Sequence, residues 1–376
     1  MAYTTVDDAS KYFQILTWTG NDSDNRALTN TGNSDLQPDI LILKNRDATD
    51  SWYFGDTSAL GYDGDLPHGG STSPHNFFEL EDGNARQDDD NVVVSLQSDG
   101  FTVGTDHMVN ADTEKYIAYQ WNITDGADIT DDNTTNNDGD AASYIKKNTI
   151  TKMVEGYYVG TGNANTQIGH GLGVKPGFIF IRALSRAENG RVYMTGAETA
   201  NGGMQIWDDT SIVNDSNTLL YAKPDATDFA TGTDLSVGGN GHSYFFWAFA
   251  DVQGFSRSSF YTGNGASDND PITDGPFVFT GFKPAFVMIK RADDTIDQWL
   301  IFDNKRAGYD PQVYRLYADS TSAETGSTSN TIQLASNGFK IRFHGGSMNA
   351  NAVKYAYIAF AENPFVTSTG IPCTAQ

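Results

Sequence analysis

Cysteine is nearly absent: Cys373 is the only one in 376 residues. A disulfide framework and a cysteine-built metal site are therefore excluded within one chain. Bases are also scarce, 24 Lys and Arg against 48 Asp and Glu, for a net charge of −24. Such a surface repels DNA and anionic membranes, and salt blunts its self-repulsion, which is compatible with a saline setting. Glutamate is rare within that acidity: eight of the 48 acids are Glu, so forty are Asp. Glu favours helix interiors and Asp favours turns and caps, so the acids are expected on loops. A sustained helical period is missing too. No apolar run reaches the roughly 18 residues of a membrane helix. The first ten residues have neither a basic stretch nor an apolar one, so no secretory leader is expected, and the chain is expected to be made in a cytoplasm and stay soluble.

What is present is aromatic and glycine-rich: 12% Phe, Trp and Tyr, and 38 Gly. That mix reads as short strands joined by polar turns. The chain also repeats itself three times. Thr19, Gly20 and Asn21 lead to Pro38 and the run Ile40–Leu43, closed by Lys44. Thr161, Gly162 and Asn163 lead to Pro176, the run Phe178–Ile181 and Arg182. Thr262, Gly263 and Asn264 lead to Pro284, the run Phe286–Ile289 and Lys290. Each base falls six residues after its proline. Glycine suits a turn with positive φ, and proline suits a strand start or sheet edge. Four consecutive apolar residues predict a strand buried on both faces, the centre of a sandwich.

The copies share later elements. Gly100-Phe101 and Gly338-Phe339 precede the aromatic strands Tyr116–Trp121 and Tyr357–Phe360. The second copy keeps only the aromatic strand, Tyr244–Phe249, and is the most diverged. An aromatic follows the base in copies one and three, Trp52 and Trp299, and Tyr193 is the candidate for that place in copy two. Three modules also match the usual domain size of about 100–150 residues. The expected boundaries are residues 1–123 for the first β-sandwich, 124–149 for an Asp- and Asn-rich linker, 150–252 for the second and 253–376 for the third, with an extended polar tail after Asn363. The long linker before module two, and its near absence at Val252–Phe255, predict modules two and three as a tight pair with module one on a looser hinge.

Candidate chemistry is sparse. The linker acids Asp125, Asp128, Asp131, Asp132, Asp138 and Asp140 and the run Asp88–Asp90 offer oxygen ligands to calcium, but none has the spacing of a calcium loop. Solvated loop is the simpler reading. His68, His75, His107, His170, His242 and His344 lack zinc spacing, and His170 reads as a turn residue. Gly160–Asn163 lacks the strand-to-helix setting and the Lys-Ser/Thr of a phosphate loop. Glu79, Glu81, Glu114 and Glu362 form no recognisable glycosidase pair. Lys44, Arg182 and Lys290 read first as rim charges. Trp52, Trp207 and Trp299 read as core before they read as sugar platforms. No catalytic, cofactor or metal residue is assigned.

The most specific words are Val252–Ser256, Tyr261–Gly265, Asp274–Lys290, Phe302–Arg306 and Ala359–Phe365, with Ala2–Asp7 and Gly370–Ala375 at the ends. Together they resemble the uncharacterised virion proteins of marine tailed bacteriophages, cyanophages included, that are named as tail-fibre or structural proteins. The resemblance covers nearly the whole chain and is strongest in module three. It implies an all-β chain of three tandem antiparallel sandwiches of concanavalin-like jelly-roll type, located in the virion. It carries no catalytic residues. The expected function is a non-enzymatic tail-fibre or tail-appendage subunit, multicopy or oligomeric. Such a subunit would contact other virion proteins and host surface glycans through the long loops Asp56–Asp90 and Asp208–Asp234. The alternative is a capsid decoration or head-fibre protein whose three modules mimic a trimer, which requires a near-threefold arrangement rather than a linear rod. A carbohydrate-active enzyme is the third reading. The absence of heptads means that a fibre shaft would come from another protein.

Overall fold

The run Ile40–Leu43 sits in a strand, Ile40–Asn45, that is buried along its whole length. Its counterparts Phe178–Ala183 and Phe282–Arg291 are buried in the same way, apart from Arg291. A computed structural model describes residues 3–57, 76–124, 134–136, 138–196, 205–207, 220–266, 275–293, 297–306, 312–326, 331–342 and 345–373. His68, His75, His344 and the linker residues Asp125 to Asp132 lie outside that set. The fold is all-β with antiparallel sandwich modules. Among the described residues, helix is confined to the short turns Ala9–Lys11 and Gly346–Asn349.

Each module pairs a large sheet with a three-stranded one. In module one the large sheet runs Phe13–Thr19, Lys115–Trp121, Ile40–Asn45, Tyr53–Asp56, Asn76–Glu79, Gln87–Asp88. Its small sheet is Arg26–Leu28, Gly100–Val103, Val93–Gln97. Module two centres on Met153–Val159, Ser243–Phe249, Phe178–Ala183 and Arg191–Met194, and module three on Ser256–Thr262, Lys354–Pro364, Phe282–Arg291 and Leu300–Asp303. Part of the expected linker belongs to module two: Ser143–Asn148 pairs along its length with Met153–Tyr158. Asn148 ties it back to the end of module one by donating to the carbonyl of Thr124, the residue that follows it, at 2.8 Å. Within the long stretches expected to be loops, Asn76–Glu79, Gln87–Asp88, Leu220–Ala222 and Asp228–Thr231 are strands. The C-terminal tail is not simply extended. It turns back through a bridge between Val366 and Pro372, and Ser368 N–H donates to Asp7 at 2.6 Å.

Alternation along the strands decides where each face goes. In module one, Leu41, Leu43, Tyr53 and Tyr116 turn to the small sheet and meet Phe101 and Val103. The other face, with Phe13, Ile40, Ile42, Phe54, Tyr119 and Trp121, joins a core shared with modules two and three. The apolar runs are thus buried on both faces as expected, but the second face is covered by the other two modules. This overturns the looser hinge for module one. Its lead-in also crosses to module three, where Tyr3 Oη donates to the Gly281 carbonyl and Thr4 Oγ1 to that of Gln253, both at 2.8 Å.

Candidate functional site

The shared core is layered with threefold regularity. Sheet register pairs Ile40 with Trp121, Phe178 with Phe249 and Phe286 with Phe360. Two residues on, it pairs Ile42 with Tyr119, Phe180 with Trp247 and Met288 with Ile358. Trp121 meets Trp247 at 4.9 Å and Phe360 at 5.5 Å, and Phe249 meets Phe360 at 5.0 Å, so rings from all three modules touch. The void at the centre is about 20 Å³, room for about one water at most, and has no polar lining to hold one. The axis is therefore a sealed core and not a channel.

The third layer holds the three bases. Lys44 pairs with Ile117, Arg182 with Phe245 and Lys290 with Ala356, and all three bases are buried. Lys44 Nζ donates to the carbonyls of Ala48, Asp50 and, in module three, Thr321. Arg182 donates to the carbonyls of Asp82 and Asn84 in module one. Lys290 donates to the Asp297 carbonyl. The first two are staples between modules as well as strand-end charges. The three tryptophans are likewise buried. Trp52 Nε1 donates to module-three carbonyls at Tyr317 and Ser320, and Trp207 stacks on Trp299 at 4.8 Å, so none is a sugar platform. Tyr193 does not take the place of Trp52 and Trp299. Leu80 N–H donates to Trp52, Ala318 N–H to Trp299, and the matching bond in module two runs from Trp207 N–H to Gly190. A glycine stands there because a Cβ would lie 2.5 Å from the Phe180 ring.

A second threefold element fixes the turn before each aromatic strand. Tyr116 Oη accepts from Ala111 N–H and donates to the His107 carbonyl. Tyr244 does the same with Gly239 and Leu235, and Tyr355 with Ala350 and Gly346. The intervals are five and nine residues each time, and the hydroxyl bonding back to upstream backbone is like that of the tyrosine corner of β-sandwiches. On these rings stack Trp18, Tyr158 and Tyr261, at 5.4, 5.2 and 5.2 Å. The glycine two residues later lies against the corner. A Cβ on Gly20, Gly160 or Gly263 would fall 1.9, 2.4 or 2.2 Å from the carbonyl oxygen of Ala111, Gly239 or Ala350. Gly160, not Gly162, is therefore the counterpart of Gly20. Gly162 matches Asp22 and Gly265, and all three have positive φ.

The three seams between modules differ. Between two and three lies a cleft of about 620 Å³ lined by Tyr3, Thr4, Lys152, Lys175, Asp251 and Ser258. At the matching place between three and one is a cleft of about 260 Å³ lined by Asp8, Gln14, Ala285, Asn304, Lys305 and Glu362. Between one and two that place is filled by polar side chains. Lys146 Nζ is in direct contact with Asp39 Oδ1, lies 3.8 Å from Glu155 Oε1 and donates to Thr57 Oγ1 at 2.9 Å. Their side chains are 4%, 1% and 0% exposed for Lys146, Asp39 and Glu155. Burial, and then the neighbouring Asp56 and Asp39 against the pull of Lys146, hold the Glu155 carboxyl well above the usual range. The seam between one and three is crossed by the ion pair of Arg46 with Glu324 at 2.9 Å and by Tyr119 Oη, which donates at 2.8 Å to Asp303, itself paired within module three to Arg306 at 2.6 Å.

Sequence reasoning missed this polar seam, although signals were present. Asp39 stands where the other copies have Gly177 and Ala285, and Glu155 is one of only eight glutamates and interrupts an aromatic strand. His170 is a turn residue as read: Nδ1 accepts from Leu172 N–H at 3.2 Å, and burial lowers its pKa. Among the described residues no group of three or more His, Cys, Asp and Glu is placed to hold a metal ion. The large hydrophobics that remain exposed include Phe277 and Phe279 on the edge strand of module three's small sheet.

A family model described as a domain of unknown function (DUF7483) matches residues 8–364. The chain belongs to this family. No curated protein and no solved structure matches. The family match spans all three modules.

Proposed function

We propose that the protein is a non-enzymatic structural component of a virion, and that its three modules act as a one-chain equivalent of a trimer. The virion setting rests on the resemblance, which covers nearly the whole chain and is strongest in module three. The observation that supports the trimer-like role is the shared core, in which three large sheets turn one face each onto a common axis in matched layers. A body of that shape suits a threefold or quasi-threefold position on a particle, so capsid decoration is the reading the geometry favours over a linear tail fibre. The tail-appendage reading keeps one specific support. Phe277 and Phe279 are 46% and 59% exposed, where modules one and two have Ala27 with Thr29 and Gln167 with Gly169. An aromatic pair on an edge strand suits contact with a partner or a host glycan.

Antibody-gold labelling of intact virions tests the role. Gold distributed over the head is the expected result, with the purified chain a monomer by native mass. Gold confined to the tail would move the assignment to the appendage and make the Phe277 face the first surface to mutate. Antigen missing from disrupted virions would refute the virion role. Release of reducing sugar from a host polysaccharide would refute the non-enzymatic one.

A further inference from the structure

We propose that Lys146 and Asp39 form an intramolecular isopeptide bond, with Glu155 as the proton-transfer residue, so that modules one and two are covalently joined by a side-chain amide. The amine, the acid and the catalytic carboxyl meet in one water-excluded place. Lys146 Nζ contacts Asp39 Oδ1, and Glu155 Oε1 lies 3.8 Å from the same nitrogen. Thr57 Oγ1 links them, 2.9 Å from Lys146 Nζ, 3.3 Å from Asp39 Oδ1 and 3.0 Å from Glu155 Oε1. The far oxygen of Asp39, Oδ2, accepts a hydrogen bond from Ile123 N–H, a donor placed to hold the charge that develops on a tetrahedral carbon.

The step balances without a co-reactant. The ion-pair proton passes from the Lys146 ammonium to Asp39, leaving a free amine beside a carboxylic acid. The Nζ lone pair attacks Asp39 Cγ, and the C–N bond forms while Oδ2 takes up negative charge against Ile123 N–H. The Cγ–Oδ1 bond then breaks. Oδ1 leaves as water with a proton given by the Glu155 carboxyl, and Glu155 is restored by the proton the amine sheds, relayed through Thr57. Net, ammonium plus carboxylate become amide plus water, and nothing is oxidised or reduced. The raised pKa of Glu155, set mainly by burial, keeps it in the proton-bearing form this role needs.

Pseudo-symmetry strengthens the case. Asp39 corresponds to Gly177 and Ala285, and Glu155 to Ile15 and Ser258, by the same sheet registers that align the core. Lys146 comes from the strand Ser143–Asn148, an addition outside Met153–Val159 with no counterpart at that edge in the large sheets of modules one and three among the described residues. The three groups thus occur together at one seam and are absent together from the other two. Left as an ion pair, the site would hold two buried charges and a Glu155 Oε2 with no hydrogen-bond partner among the described residues, which is costly. Amide formation removes both charges.

Mass spectrometry of the purified full chain decides the matter without any variant. The expected result is a denatured chain lighter than its sequence by one water. A tryptic digest should then contain one branched peptide, residues 27–44 joined to residues 116–147, with no cleavage after Lys146. Lys146→Arg keeps the charge but cannot form the amide and should restore full mass. Glu155→Gln should leave most of the chain unreacted. Wild-type protein at full mass, cut by trypsin after Lys146, would overturn the proposal and leave an ordinary buried ion pair.

Discussion

Replacing Trp121 with alanine separates a shared core from three tethered domains. Trp121 is 1% exposed and packs against Phe13 of its own module, Trp247 of module two, and Phe286 and Phe360 of module three. A buried indole withdraws about 150–250 Å² from water, worth about 4–6 kcal/mol at roughly 25 cal/mol per Å². Measured Trp-to-Ala losses of about 3–5 kcal/mol fall in the same range, and the rings around Trp121 are held by three sheets and cannot collapse into the gap. Against a total stability of about 5–15 kcal/mol, the loss is large. Urea unfolding followed by circular dichroism should show one transition moved to lower urea, with the whole strand signal lost together. The control is Phe101→Ala, at 0% exposure in module one's private core. If Trp121→Ala detached a module-one-sized fraction of the signal and left the remainder at the wild-type midpoint, or cost under about 1 kcal/mol, the shared core would be refuted.

Other perturbations test the repeated elements. Tyr116→Phe, Tyr244→Phe and Tyr355→Phe each strip one hydroxyl from two backbone groups and should each cost about 1–3 kcal/mol in urea unfolding, with similar values across the three. Gly263→Ala drives a methyl to 2.2 Å from the Ala350 carbonyl oxygen and should cost about 1–3 kcal/mol, whereas Gly241→Ala, with open space around its Cβ but positive φ, tests backbone strain alone. Glu81 is held above its ordinary pKa of 4.5 chiefly by burial, so the folded state keeps a proton that the unfolded state has lost. Stability from this group is present at acid pH and lost as pH rises from 4.5 through the folded value. Urea midpoints of Glu81→Gln should therefore vary less with pH above 4.5 than those of wild type, and equal slopes would remove Glu81 from the account.

Local chemistry made the class and the repeat legible. Pro38, Pro176 and Pro284 and the bases six residues beyond them mark strands whose registers place Lys44, Arg182 and Lys290 in one layer. The word Thr161 to Asn163 is not the structural counterpart of Thr19 to Asn21. The corner needs a small residue two places after the stacking ring, and in module two that ring is Tyr158, so Gly160 holds the place. The looser hinge fails for a different reason. Linker length reports how far the chain can reach, and the packing of Trp121 against Trp247 and Phe360 is set by which face of each strand is apolar. A strand apolar on both faces reads the same whether its second cover is a sheet of its own module or a neighbour's. Sequence alone does not distinguish the two.

Fusing three modules in one chain frees the seams from being alike. In a trimer of identical chains, a lysine at one interface would appear at all three, and so would every carboxylate facing it. Here Asp39, Lys146 and Glu155 fill one seam, Arg46 with Glu324 and Tyr119 with Asp303 bridge another, and the third keeps a cleft with Lys152, Lys175 and Asp251. The axis layers and tyrosine corners stayed threefold because each serves a packing demand that all modules share. The seams diverged because each is made once. An exterior that begins as three equivalent faces can diverge in the same way, so one aromatic pair, Phe277 with Phe279, stands on module three alone. A single chain can therefore keep a threefold core through what its modules have in common and present a different surface from each.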